Sequence, residues 1–400
     1  MGLSTEQLVE QAKEHDAKTM ATEELREKDS SNSESNGPEN GLRACIISLG
    51  SKSSKMTAEA LSEFFEHVDM LQLKEMEVVL GKDAGVFFSG KPLEYYDCVF
   101  IKGSFRYAHL LRSITSMLEG KVPYLPLPAS SFTIVHNKLL THLALQQQEI
   151  PMPKTYVSPN TETAKELLKR VNYPIVMKFP EGTQGKGVMF ADSISSASSL
   201  LDALGALNQP FIIQEYVETG GTDLRVIVIG DRAIAGMERK ATTDEKRANI
   251  HAGGSGQIVE LSRETKTLAI KTARALNAEV CGVDILEGPL GPVVIEANIS
   301  PGLQGVTAAS GINVAREIAK HMYQQTVSKL QIKTDKHKQQ VVKDMKNQEN
   351  NKSEIITNLQ FKGERIILPK LVTEMTEFSE LENYVIKSKK GKLEIVEFKM

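Results

Sequence analysis

The residues best placed to do chemistry lie near 284–298. Gly282-Val283-Asp284-Ile285-Leu286 and Val293-Val294-Ile295-Glu296-Ala297-Asn298 read as two strands joined by a glycine–proline turn. Side chains alternate along a strand, so Glu296 and Asn298 share one face while Ile295 and Ala297 share the other. Antiparallel pairing across the turn sets Asp284 beside Glu296. Two carboxylates and an amide oxygen on one wall suit Mg²⁺ or Mn²⁺, hard cations that take oxygen ligands and bridge phosphates. The bland alternative is a pair of solvated edge acids. Against it, both acids are flanked by apolar residues, and a buried acid needs a partner.

A second cluster begins at Tyr173. In Ile175-Val176-Met177-Lys178-Phe179 the lysine shares a face with Val176. An ammonium in an apolar strand requires an anion or acid opposite it. Gly182-Thr183-Gln184-Gly185-Lys186-Gly187 follows, and glycines let backbone amides approach phosphate oxygens. It matches neither the Walker loop nor the dinucleotide fingerprint. Alone it reads better as a plain hairpin turn; beside an oxygen-lined metal site it becomes a phosphate lid. Further on, Asp223 and Arg225 share a face of Thr222–Gly230, and Met237 and Arg239 share one after the turn. Arg247, Asn249 and His251 follow in a glycine-rich loop. Several arginines near a metal and a phosphate loop point to phosphoryl transfer, although any one could be a surface ion pair. His251 has at least as good a claim to a structural role as to a general base. There is no GxSxG elbow, and no cysteine near a basic partner. Activation must then come from ATP or another charged cofactor.

The elements that position these residues need more than one domain: 400 residues imply two or three. The net charge of -3 argues against a non-specific nucleic-acid binder. No apolar run approaches the roughly 20 residues of a membrane helix, and the N-terminus lacks a signal-peptide pattern. Three scattered cysteines, Cys45, Cys98 and Cys281, suggest neither a zinc motif nor a disulfide framework. A cytoplasmic protein in a reducing compartment is expected, with no nucleic acid or membrane partner. The acidic, apolar-poor stretch 1–41 reads as a disordered tail, with a frayed helix over 4–28 as the alternative. Buried strands at 44–50 and 96–103, a helix at 56–67 and short strands near 70–73 and 76–79 predict a small three-layer α/β domain over 42–130. Ser48, Lys102 and Arg106 would lie beyond its strand ends, where such sheets bind ligands. A helix is expected over 133–147, stopped by Pro151 and Pro153. Strands and helices continue to 328. A Lys/Gln/Asn-rich linker over 329–353 then leads to a small β-rich element, 354–400, with strands at 365–368, 384–387 and 393–398.

These segments together resemble the ATP-grasp ligases, and most closely the RimK-type α-L-glutamate ligases. The matching blocks, in order, are Asn137-Lys138-Leu139, MKFPEGTQGKGV (177–188), IIQEYV (212–217), TDLRVIVIGD (222–231), MERKA (237–241), KRANIHAGG (246–254), CGVDIL (281–286) and VIEANISPGLQG (294–305). The resemblance implies an α/β (α+β) fold, a small domain followed by a two-lobed ATP-grasp domain over 131–328. It also implies an ATP-dependent ligase that joins a carboxylate to an amine through an acyl phosphate. Lys138 and Lys178 would bind ATP phosphates together with Gly182, Gln184, Gly185 and Gly187. Glu215, Tyr216 and Val217 would hold adenine, and Asp223, Arg247 and Asn249 would contact the nucleotide. Asp284, Glu296 and Asn298 would hold two Mg²⁺ or Mn²⁺ ions. Arg225 and Arg239 would be catalytic, and Ser300 and Gly302 would shape the acceptor end. The implied substrates are L-glutamate and a carboxylate acceptor, either a protein C-terminus or a glutamylated cofactor.

Two positions depart from the family pattern: Asn137 stands where an acid commonly precedes the lysine, and Lys102 where the family has arginine. Both bear on substrate identity more than on nucleotide chemistry. The C-terminal Leu368-Pro369-Lys370 and its hairpin resemble AbrB-type dimer elements, and a homo-oligomer is expected. Two alternatives stay open: a carrier-protein-dependent amino-acid ligase of the lysine-biosynthesis type, and a catalytically silent ATP-grasp scaffold.

Overall fold

The computed structural model describes residues 41–181, 187–240 and 255–346, and within 360–397 the segments 360–362, 365–368, 384–390 and 392–397 with single residues 372 and 376. The acidic tail expected over 1–41 thus lies, except for its last residue, outside the described residues. The chain divides into two compact units, one ending at Thr326 and the other beginning at Val327.

The first unit opens with β1 (Arg43–Ser48), α1 (Lys52–Leu61), β2 (His67–Gln72), β3 (Met76–Val79), β4 (Gly85–Phe88), β5 (Lys91–Pro92), β6 (Cys98–Ile101) and α2 (Ala108–Leu118). β1 is the centre of a parallel sheet of order β2-β1-β6, and five of its six residues are buried, as its continuous apolar run requires. β3 lies outside that sheet and pairs antiparallel with β4. The helix expected over 56–67 begins and ends earlier, because Ser51 caps it by accepting the Ser54 amide at 3.2 Å.

The single helix expected over 133–147 is two, α3 (Ala129–Val135) and α4 (Lys138–Gln147). The break has a local cause. Asn137 is extended, at φ -123° and ψ 112°, and its side chain accepts the Leu140 amide at 3.1 Å, so a new helix starts at Lys138.

Two lobes follow. The smaller holds β7 (Thr155–Tyr156), α5 (Thr161–Leu168), β8 (Ile175–Lys178), β9 (Val188–Ala191), α6 (Ile194–Ala206) and β10 (Ile212–Glu215), with sheet order β7-β10-β8-β9. Ile175, Met177, Leu201 and Ile213 belong to a core of its own. The larger holds β11 (Thr222–Ile229), β12 (Arg232–Lys240), β13 (Ser255–Ile258), α7 (Arg263–Ala275), β14 (Val280–Gly288), β15 (Gly291–Asn298) and α8 (Gln304–Ser310). Its sheet runs β13-β12-β11-β14-β15, with α7 packed on it, and its core is continuous with that of the first sheet.

Helix α9 (Val314–Lys346) runs through much of the segment expected to be a linker. Lys and Gln are good helix formers, so a polar composition did not exclude a helix there. In the second unit β16 (Gln360–Lys362) pairs with β17 (Arg365–Ile367), and β18 (Tyr384–Lys389) with β19 (Lys392–Glu397). The last pair is the predicted hairpin; β16 carries no strong sequence signal. Among the described residues no helix is long and apolar enough to cross a membrane.

Candidate active site

The two lobes and the first sheet meet around a cleft of about 600 Å³. Its floor is the five-stranded sheet. Register places Asp284 opposite Glu296, as antiparallel pairing across the turn predicts, and it also sets Asp223 opposite Arg239 and Arg225 opposite Asp284, which the sequence did not foretell. One refinement comes from a bulge at Ile295, which leaves that residue unpaired between Asp284 and Ile285. Val294 and Ala297 are therefore the buried residues, while Ile295 lines the cleft together with Glu296. A bulge re-aims side chains in this way beside many sites.

Buried charges on this floor are paired. Arg225 grips Asp284 with Nε and Nη2 at 2.8 and 2.7 Å. Arg239 donates Nε to Asp223 at 2.6 Å, and its Nη2 bonds Asp223 and reaches Asp284 Oδ2 at 2.9 Å. Burial alone would raise Asp284, but the two guanidinium groups outweigh it and hold the carboxyl near 2. Asp223 moves the other way: burial and the neighbouring Asp284 charge push it up against the bonds from Arg239. Glu296 and Asn298 stand beside this cluster, and Asn298 Oδ1 accepts the Ser300 amide at 2.8 Å.

From the smaller lobe, Lys178 donates to Gln214 at 2.6 Å. Burial lowers its ammonium to about 8, with Lys138 adding to the shift and Glu296 opposing it. Lys138 opens α4, and its amide donates to Pro180 O at 2.8 Å. At the end of β10, Glu215 accepts Tyr156 Oη at 2.5 Å and Asn172 Nδ2 at 3.1 Å. These bonds hold it below the usual carboxylate range in spite of burial. The Tyr216 amide donates to Pro174 O at 3.1 Å, and Val217 lines the cleft beside it. Gly187 has φ +77°, and a Cβ there would sit 2.2 Å from the Phe179 ring, so that turn demands glycine.

The structure thus brings Lys138, Lys178, Glu215, Tyr216, Val217, Asp223, Arg225, Arg239, Asp284, Glu296, Asn298, Ser300 and Gly302 to one cleft. Gly182, Gln184, Gly185, Arg247, Asn249 and His251 lie outside the described residues. Sequence reasoning did not single out Gln214, Tyr156, Ser53 or Gln304. Gln214 was readable as a polar residue within an apolar strand; Ser53 and Gln304 carried no signal. All three cysteines are buried and unpaired, and burial raises Cys98 and Cys281 to about 12, which suits no thiolate nucleophile.

The donor set fits a hard divalent cation. Glu296 and Asn298 offer oxygens on one wall, and Asp284 would add its own on exchange of an arginine bond. Among the described residues no group of three or more His, Cys, Asp or Glu side chains is arranged to hold a metal. An amide and fewer carboxylates suit an ion that keeps waters and phosphate oxygens as its other ligands.

Residues 135–322 match the family model of the RimK-like ATP-grasp domain. A probable alpha-L-glutamate ligase of Xanthomonas euvesicatoria pv. vesicatoria is 34% identical over 288 residues, 71% of this chain and 98% of that one. Another, of Marinomonas sp., is 32% identical over 286 residues, 70% and 95% of the two chains. Among solved structures, the RimK domain protein ATP-grasp of Sphaerobacter thermophilus superposes with a TM-score of 0.54 at 16% identity, covering 70% of this chain and 99% of that one. The ATP-grasp ligase PsnB, complexed with a variant of its minimal precursor, Mg and ADP, gives 0.56 at 18% identity, covering 72% and 99%. The family model and these relatives make the chain an ATP-grasp ligase. The chain belongs to the RimK-like ATP-grasp family.

Proposed function

We propose that this chain joins the carboxylate of an acceptor to the amine of L-glutamate, with residues 42–130 as the preceding domain and 131–328 as the ATP-grasp domain. The observation that carries the reading is the Asp284–Glu296 cross-strand pair, with Asn298, in one cleft with Lys178 and two arginines. The relatives named as glutamate ligases support the amine substrate. PsnB, solved with a precursor peptide, supports a peptide or protein acceptor, with a glutamylated cofactor as the other candidate.

ATP would supply the phosphoryl group that converts the acceptor carboxylate to an acyl phosphate, and Mg²⁺ would supply positive charge to offset that of the phosphates. Glu296, Asn298 and Asp284 would hold the ion. Lys138 and Lys178 set positive charge where a triphosphate would lie, and Gly182, Gln184, Gly185, Gly187, Arg247 and Asn249 would complete its cradle. Glu215, Tyr216 and Val217 would take the adenine, and Asp223 would contact the nucleotide while fixing Arg239. Arg239 and Arg225 would stabilise the charge that develops on the transferred group. Ser300 and Gly302 would border the acceptor end, and closure of the cleft over bound substrates would exclude water from a hydrolysable intermediate. Three free thiols support a cytoplasmic setting.

The test is to incubate the full chain with ATP, Mg²⁺, L-glutamate and a cell extract, then to seek mass gains of one glutamyl unit. ADP release should require both glutamate and acceptor. Nucleotide binding without ADP release under any condition would favour a silent scaffold, and dependence on an acidic carrier protein would favour the lysine-biosynthesis type.

A further inference from the structure

The wall that carries Glu296 and Asn298 is an edge strand. β15 ends the sheet order β13-β12-β11-β14-β15, so no further strand takes up the backbone groups on its outer side. The bulge adds to that need. Register passes over Ile295, between Val294 opposite Ile285 and Glu296 opposite Asp284. A buried backbone group that the ladder leaves unpaired must find another partner.

The partners come from α4 and the loop that follows it. The Val294 amide donates to Pro151 O at 2.9 Å. One residue on, His142 of α4 is hydrogen-bonded to the Ile295 backbone. His142 is 4% exposed. Its Nδ1 has no hydrogen-bond partner among the described residues, so Nε2 makes the bond. The bond favours the protonated ring, as a carbonyl acceptor does and an amide donor does not. Burial, with the charges of Lys178 and Lys138 adding to it, nonetheless lowers the ring to about 4. At neutral pH the ring is therefore uncharged, and its single proton sits on Nε2 and meets the Ile295 carbonyl. Leaving Nδ1 buried and unsatisfied costs stability, and an apolar side chain at this position would avoid that cost. What the ring provides in exchange is a fixed Ile295 carbonyl.

We propose that His142 is a positioning residue for the metal wall: by holding the carbonyl of the bulged Ile295, it fixes the direction in which the next residue, Glu296, presents its carboxylate. The proposal rests on the reading of Glu296 as a metal ligand. The peptide plane that contains the Ile295 carbonyl ends at the Glu296 Cα. A bond to that oxygen therefore sets the rotation of the plane from which the Glu296 side chain departs. Without the bond the bulge is free to pivot, because its extra residue has no place in the ladder. His142 is not among the residues lining the cleft; it acts through Glu296.

The probe is Mn²⁺, titrated by paramagnetic resonance into a one-to-one mixture of the full chain and a non-hydrolysable ATP analogue. His142→Leu removes the donor, His142→Gln keeps an N–H within reach of the carbonyl, and Glu296→Gln weakens the ligand directly. His142→Leu should weaken Mn²⁺ binding by about tenfold to a hundredfold, the range for lost outer partners of metal ligands, and His142→Gln should stay within about threefold of wild type. In the Glu296→Gln background, His142→Leu should add less than about twofold, because it acts through a ligand already lost. A merely structural role would show its full effect there as well. Analogue affinity without metal should stay within about twofold in the His142 variants. Should His142→Leu fail to fold, His142→Asn, whose shorter amide falls short of the carbonyl, takes its place with the same expected loss. Three outcomes overturn the proposal: Mn²⁺ binding within about twofold of wild type in His142→Leu, a loss in His142→Gln as large as in His142→Leu, or full additivity with Glu296→Gln. The two readings separate cleanly. Unchanged Mn²⁺ binding in Glu296→Gln sinks the metal reading and this proposal with it, whereas a loss there with none in His142→Leu sinks the proposal alone.

Discussion

Arg239 donates to two buried carboxylates at once, Asp223 and Asp284, so its removal tests more than catalysis. Arg239→Ala leaves both acids short of a partner and should destabilise the protein by about 3–5 kcal/mol. Urea unfolding measures that loss, and a change under about 1 kcal/mol would show the ion cluster to be slack. Turnover per folded molecule should also fall, more than affinity for nucleotide does. Glu296 is the cleaner probe of the metal wall, because it is half-buried and stands outside the arginine cluster. Glu296→Gln should abolish turnover without altering Tm, since one ion ligand loses its charge. Activity within about tenfold of wild type would remove Glu296 from the metal site. The lysines make a pH prediction. Burial holds Lys102 near 8 against a reference of 10.5. Between those values the unfolded chain binds more protons, so this group's contribution makes stability rise with pH. Lys102→Met should therefore raise Tm most near pH 7, and this advantage should shrink toward pH 10. An advantage independent of pH would refute the buried charge as its source.

At the scale of elements, the start of α4 links a cap to a ligand site. Asn137 caps the helix whose first residue is Lys138, and the Lys138 amide bonds Pro180, just after β8. Asn137→Ala should cost about 1 kcal/mol of stability. It should also weaken binding of an ATP analogue, because the Lys138 ammonium loses its fixed base. Thermal melts and analogue titration read the two effects; if affinity is unchanged, the cap serves the fold alone. The Asn137 signal was present in the sequence as a helix opener. The extended backbone behind it, which splits the expected helix in two, depends on how α3 packs and was not. The bulge at Ile295 is similar: strand alternation predicted which face Glu296 takes, but not that Ile295 would join it.

On the scale of the molecule, the residues lining the cleft run from Leu49 to Gln304, all within the unit that ends at Thr326. A chain of residues 41–326 should therefore bind an ATP analogue within about threefold of the full protein, as expected when the deleted segments contribute none of the described lining residues. A larger loss would give the N-terminal segment or the second unit a part in the site. The small lobe has a core separate from the rest, so the cleft lies between bodies that are stabilised independently.

Much of this site was legible in the amino-acid sequence alone. Alternation and turn chemistry are local, and they were enough to pair Asp284 with Glu296 and to turn Lys178 toward the cleft. The order of the motif blocks identified the family. What the tertiary structure decided is which charges meet. Arg225 and Asp284 are 59 residues apart, and Ser53 and Gln304 are 251 apart; no local pattern encodes such a distance. Nor could composition say that Lys102 is left without a hydrogen-bond partner among the described residues, since an unpaired ammonium is defined by what packs around it. Its charge was in the sequence, but its isolation exists only once β6, α1 and the segment after β15 close on one another.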